Sequence, residues 1–178
     1  YKKIRTQADS VSFAAEIQDT VLLNRFTKAK IYIPQKATIS GAIYGYDSVG
    51  VHAHIPSLHV NNEDLRNCTL KIRGTSQILT AHLTTERRQK HGFVDFSLKA
   101  NAYDNKLRVI AGLDNKRKPR IFGEMDVTAT FSGIHDGEHQ VKAWIAPSDI
   151  VILDTVWRIH PASISWDGQS ATIRGIKI

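Results

Sequence analysis

The chain is dominated by runs in which apolar and polar residues alternate. In the cleanest, Val94, Phe96, Leu98, Ala100 and Ala102 are interleaved with Asp95, Ser97, Lys99 and Asn101. A period of two puts one set on each face of a β-strand. The same pattern recurs at Val49, Val51, Ala53 and Ile55, at Cys68, Leu70 and Ile72, at Leu79, Ala81 and Leu83, and at Leu107, Val109, Ala111 and Leu113. It returns at Ile121, Gly123, Met125, Val127, Ala129 and Phe131, then at Val141, Ala143 and Ile145. Turn-forming clusters divide the runs: Tyr46-Asp47-Ser48, Asn61-Asn62-Glu63-Asp64, Gly74-Thr75-Ser76, Asp104-Asn105 and His135-Asp136-Gly137. Pro56-Ser57 is expected to close one strand, with Leu58 and Val60 starting the next.

The first part of the chain reads differently. Between residues 10 and 30, Ala14, Ile17 and Val21, with Leu22, Phe26 and Ala29, recur at spacings of three and four on good helix formers. Ser10 or Ser12 is a candidate cap, with Glu16 in the early turns. The expectation is one amphipathic helix, in a lead-in segment over residues 1–34, followed by a repeated-strand β domain over residues 35–178.

At the far end, residues 145–178 form short alternating runs stopped by Pro147, Pro161 and Asp167-Gly168. Trp157 shares a face with Ile159, whereas Trp144 and Trp166 fall on the polar phase. A strand–Pro–Ser–strand form occurs from Val51 and again from Val141, a short echo about ninety residues apart. In all, about ten strands are expected. Short connections favour antiparallel neighbours, and a single candidate helix is too few for a βαβ architecture.

Composition narrows the partners rather than the fold. The 178 residues carry a net charge of +7, which permits an anionic partner without choosing one. Much of the excess lies in two clusters, Arg87-Arg88-Gln89-Lys90-His91 and Lys116-Arg117-Lys118-Pro119-Arg120. The nearby aromatics Phe93, Phe96 and Phe122 fall inside strand patterns instead of forming a stacking platform, so nucleic acid is not the expected partner. Solvated loops or contacts with anionic lipid headgroups remain.

Candidate chemistry is sparse. No strand-and-helix nucleophile elbow or glycine-rich phosphate loop is present. Cys68 falls in an apolar phase and reads as a packed thiol. His52 and His54 share a strand face, but no third metal ligand accompanies them, and solvent-facing imidazoles are the simpler reading. No enzyme activity, metal or cofactor is expected. There is no apolar run of about 18 residues and no signal-like segment. The chain, which opens at Tyr1, is read as a piece of something longer.

The passage I-A-P-S-D-I-V-I-L-D-T-V-W-R-I-H-P-A-S-I over residues 145–164 resembles a recurring passage of TamB-like proteins, the translocation and assembly module subunits of the AsmA-like superfamily. S-G-A-I-Y-G-Y-D-S-V-G-V-H-A-H-I-P-S-L over residues 40–58 has the same family's strand–turn–strand–Pro-Ser form. The resemblance covers about three-quarters of the chain and rests on strand ends and turns, not on catalytic motifs. It implies an internal segment of an envelope-spanning scaffold in the periplasm of a Gram-negative bacterium, anchored in the inner membrane. It further implies an elongated, curved antiparallel sheet, a β-taco or open groove, tied to phospholipid transport to the outer membrane or to outer-membrane protein assembly and translocation. A TamA-like outer-membrane barrel would then be the partner of the full-length protein. The expected helix and the absent anchor depart from that pattern.

The resulting site expectation is an apolar groove for phospholipid or another acyl-chain lipid. Its lining would include Val94, Phe96, Leu98, Val109, Ala111, Met125, Val127 and Ala129. Arg87, Arg88, Lys116, Arg117, Lys118 and Arg120 are the candidates for anionic headgroups. The competing expectation is a closed β-sandwich that serves as an interaction or spacer module, with its apolar faces packed on each other.

Overall fold

A computed structural model of the chain describes residues 10–21, 24–25, 29–45, 47–89, 92–135, 138–167 and 169–175, without side-chain detail at 133–135 and 138–139. Fourteen strands form one antiparallel sheet. Its main path begins with β1 (Ser10–Ile17) and β3 (Ala37–Tyr44), the short β2 (Ile31–Tyr32) lying off it against β4. The path then runs in chain order through β4 (Ser48–Val60), β5 (Glu63–Thr75), β6 (Ile78–Gln89), β7 (Gly92–Tyr103), β8 (Lys106–Asp114), β9 (Ile121–His135) and β10 (Glu138–Ile145). It ends with β13 (Ala162–Trp166) and β14 (Ala171–Arg174), while β11 (Ser148–Ile152) and β12 (Thr155–Ile159) form a hairpin on the start of β9.

The amphipathic helix expected over residues 10–30 is not formed. Residues 10–17 are β1, paired along their length with β3, and beyond them the Asn24 N–H donates to the Thr20 carbonyl. Leu22 and Phe26 lie outside the described residues. Within β1 the alternation of Val11, Phe13, Ala15 and Ile17 was available all along, and pairing with an existing edge outweighs the helix propensity of Ala14 and Glu16. Phe13 gains a specific seat, because its ring lies over Gly41, where a Cβ would come within 2.6 Å of it.

Pro56 acts differently from the expectation, whereas Pro147 and Pro161 stop strands as expected. Pro56 does not close a strand: β4 runs through it, and the ladder skips from Ile55↔Cys68 to Ser57↔Arg66, with Asn67 at φ 50° opposite the gap. Missing one donor, Pro56 sits where the ladder needs none. Pro147 and Pro161 each interrupt a longer extended run, so β10 and β11 follow one another along β9. After the Leu153-Asp154 turn, β12 and β13 retrace the same course.

The pairing register carries the sequence alternation across the whole sheet. One row passes through Phe13, Gly41, Val51, Ile72, Ala81, Ala100, Val109, Val127, Ile145 and Ala162. The rows on either side, one through Leu70, Leu83, Leu98, Ala111 and Met125, the other through Leu79, Ala102, Leu107, Ala129, Ala143 and Ile164, are equally apolar. Trp166 belongs to this face too, opposite Val141, which corrects its expected polar phase.

No second layer covers these rows among the described residues. Among the described residues, every pair of elements in substantial contact is a pair of neighbouring strands, and no large side chain is fully buried. The accessible surface is 13545 Å², about half as much again as the roughly 8,700 Å² of a compact protein of 19.9 kDa. The sheet is therefore open, and the closed sandwich is not the architecture of this chain.

Candidate functional site

All eight groove candidates share the apolar face, on three adjacent strands. Leu98, Ala111 and Met125 are direct register partners in sequence across β7, β8 and β9, as are Val109 and Val127. Phe96, Leu98, Ala111 and Met125 line a concavity of about 390 Å³. Leu83, Leu113 and Ile150 complete its apolar wall. Leu83 and Leu113 fall on the expected apolar phase but are not among the groove candidates, and Ile150, on the hairpin strand β11, is not singled out by the sequence at all. Leu98 and Met125 are more than a third exposed.

Val94 behaves differently. It is only 2 % exposed and stands opposite Arg87. Arg87 itself lies on the apolar side of β6, where Nε and Nη2 reach the two Glu63 carboxylate oxygens at 2.5 and 2.6 Å. Val94 thus belongs to a covered border of the face, closed by an ion pair, and not to its accessible part.

The two basic clusters converge. β7 and β8 form a hairpin that returns the chain to the margin from which it left, so the loop over residues 115–120 meets the end of β6. Arg117 Nη2 donates to Gln89 Oε1 at 3.4 Å, and its guanidinium lies against Gly92, where a Cβ would approach within 2.5 Å. The loop is held by buried Asn115. Its Oδ1 accepts from the N–H of Arg117 and of Ile121, and its Nδ2 donates to the Pro119 carbonyl at 2.8 Å.

Carboxylates already neutralise half of the proposed headgroup set. Besides Arg87, Lys116 is paired with Asp95, which holds its ammonium above the ordinary lysine range through that hydrogen bond. Arg120 pairs with Asp114 at 3.0 Å and stacks its guanidinium over Phe122. Arg88 and Lys118 are exposed and form no ion pair among the described residues. The opposite margin carries Asp47, Asp104 and Asp167 at its turns, so the apolar rows run between a basic border and a more acidic one.

The remaining constellations are structural. His54 Nδ1 lies 3.3 Å from Thr69 Oγ1, and no group of three potential metal ligands forms among the described residues. Cys68 is buried with its Sγ 3.0 Å from Thr85 Oγ1. On the polar face, Glu86, Asp95 and Asp114 lie side by side in register, each held by a partner: Asn67, Lys116 and Arg120 respectively. Arg108 and Asp126 form a further pair with a closest approach of 2.5 Å. The hydrogen bond from Arg108 holds the Asp126 carboxyl below its ordinary range.

What this arrangement offers chemically is a broad apolar surface with a charged border. No protein-family model, curated protein or solved structure matches this chain.

Proposed function

We propose that the chain is a segment of a TamB-like envelope scaffold in the periplasm, whose open sheet curves into a groove that carries acyl chains of phospholipid. One observation supports this reading above the others: an apolar row continues from β1 to β13, and no described residue covers it with a second layer. A folded domain ordinarily buries such a face against a second layer, and contiguous apolar patches beyond a few hundred Å² mark interaction sites. At about 25 cal/mol per Å², each about 400 Å² of surface buried between strands and acyl chains contributes roughly 10 kcal/mol without any directional contact.

The charged border fits the same reading. Arg88 and Lys118, exposed and without an ion pair among the described residues, stand at the margin where the headgroup of a lipid lying across the rows would emerge. A long row without a unique pocket suits passage of lipid along the sheet rather than tight retention of one molecule. In the full-length protein a TamA-like barrel would receive the far end of such a path.

Photo-crosslinking in living cells tests the proposal. A photoreactive residue at Leu98 or Val127 is expected to capture lipid, and one at Lys99, on the opposite face of β7, is expected not to. Folded protein that captures no lipid at either apolar position would sink it.

A further inference from the structure

We propose that the β11–β12 hairpin inserts its tip into the surface of a bilayer bearing anionic headgroups, a docking role separate from the transport of single lipids along the apolar rows. The turn residues Leu153 and Asp154 both have positive φ, 52° and 62°. Asn, Asp and Gly fit such a turn, and a branched apolar side chain is disfavoured there. The β7–β8 turn of the same chain has the same conformation and uses the favoured pair, Asp104 and Asn105. Leucine at the β11–β12 tip, 62 % exposed, is therefore placed against local preference.

Near its tip the hairpin is apolar on both faces, with the Asp149–Arg158 ion pair set back at its base. Ile152 and Trp157 point to the apolar side, each more than two-fifths exposed. Val151 and Val156 point to the other side, beside exposed Phe122. A protein partner ordinarily covers one face, whereas a hairpin exposed on two faces and at its tip is covered on all sides only by a surrounding apolar medium. Trp157 sits a short way behind the tip, the depth at which tryptophan favours the interface between headgroups and acyl chains.

Charge complements this placement. The Asp154 carboxylate accepts the Arg120 N–H at 2.9 Å, and the Asp154 N–H donates to the Arg120 carbonyl. The basic loop is thus fixed as a collar beside the tip. Residues 114–120 and 148–159 together hold five cationic side chains and three carboxylates. All three carboxylates are engaged: Asp114 by Arg120, Asp149 by Arg158, and Asp154 by backbone. Lys118 is left exposed to meet phosphate groups, as cations beside a membrane-inserted apolar tip do.

The test uses the chain with Trp144 and Trp166 replaced by Phe, so that emission reports Trp157. With vesicles of phosphatidylglycerol and phosphatidylethanolamine, a blue shift is expected, with co-sedimentation that falls on pure phosphatidylcholine. Leu153→Asn supplies the residue type the turn favours, so its unfolding temperature is not expected to fall, while vesicle partitioning drops roughly tenfold or more through loss of a buried leucine. Leu153→Asn is expected to leave lipid capture by a photoreactive residue at Val127 unchanged, so failure of docking and failure of lipid carriage are read separately. Unaltered partitioning of Leu153→Asn overturns the proposal. So does a Trp157 shift that depends on protein concentration without vesicles, which would assign the hairpin to a second copy.

Discussion

Enlarging a small residue in the middle of the apolar face separates an open sheet from a covered one. Ala100 lies between Ala81 and Val109 in the central row. In a closed core, Ala100→Phe would insert a six-carbon ring where a facing layer already sits, at a cost of about 1–3 kcal/mol. For a chain of this size that lowers the unfolding temperature by roughly 2–12 °C. On the open sheet the ring meets no facing layer, and it gains contacts with its cross-strand neighbours worth about 0.2–1 kcal/mol. The expected result is an unfolding temperature unchanged or raised by up to about 4 °C, followed by circular dichroism at fixed protein concentration. A fall of more than about 4 °C would show that another layer covers Ala100, and the reasoning from an uncovered face would fail with it.

Two further outcomes follow from the margin and the polar face. Asn115→Ala removes three hydrogen bonds that knit the loop over residues 115–120. It is expected to cost about 2–3 kcal/mol and to speed amide exchange at Arg117 and Ile121, read by mass spectrometry; unchanged exchange would show that another contact holds the loop. The folded-state pKa of Asp126 lies below its unfolded value, so its contribution to stability is present above about pH 4 and is lost as pH falls through the folded pKa. Arg108→Ala is expected to raise the Asp126 midpoint in an NMR titration, and an unmoved midpoint would remove the guanidinium as its cause.

Much of the fold follows from period-two alternation, because strand pairing preserves phase: once Val94 to Ala102 is placed on one face, register carries that assignment to β6 and β8. What alternation could not convey was where pairing stops. Pro56 reads as a terminator, yet β4 tolerates it because one position of the ladder is skipped opposite Asn67. Ser10–Ile17 supports two periods at once, and only the presence of the β3 edge decides between them. Trp166 was assigned the wrong face because Pro161 resets the phase between β12 and β13.

The convergence of the two basic clusters was legible in principle. Two strands and one tight turn separate them, and an even number of strands returns a chain to the side it left. Their neutralisation was not legible, since Asp95 and Lys116, or Glu63 and Arg87, are far apart along the chain and meet only through the register of neighbouring strands. The difference in charge between the two margins emerges in the same way, from turns that are scattered in sequence and aligned in space.

The main path contains eleven strands, and that odd number fixes the direction of its two edges. With every neighbour antiparallel, β1 and β14 point the same way. A second copy added edge to edge in the same orientation would have to join β14 to β1 as a parallel pair, the less stable arrangement per residue. Antiparallel joining of copies requires a two-fold axis instead, which matches β1 with β1 or β14 with β14. Direct same-orientation extension is therefore disfavoured by strand parity.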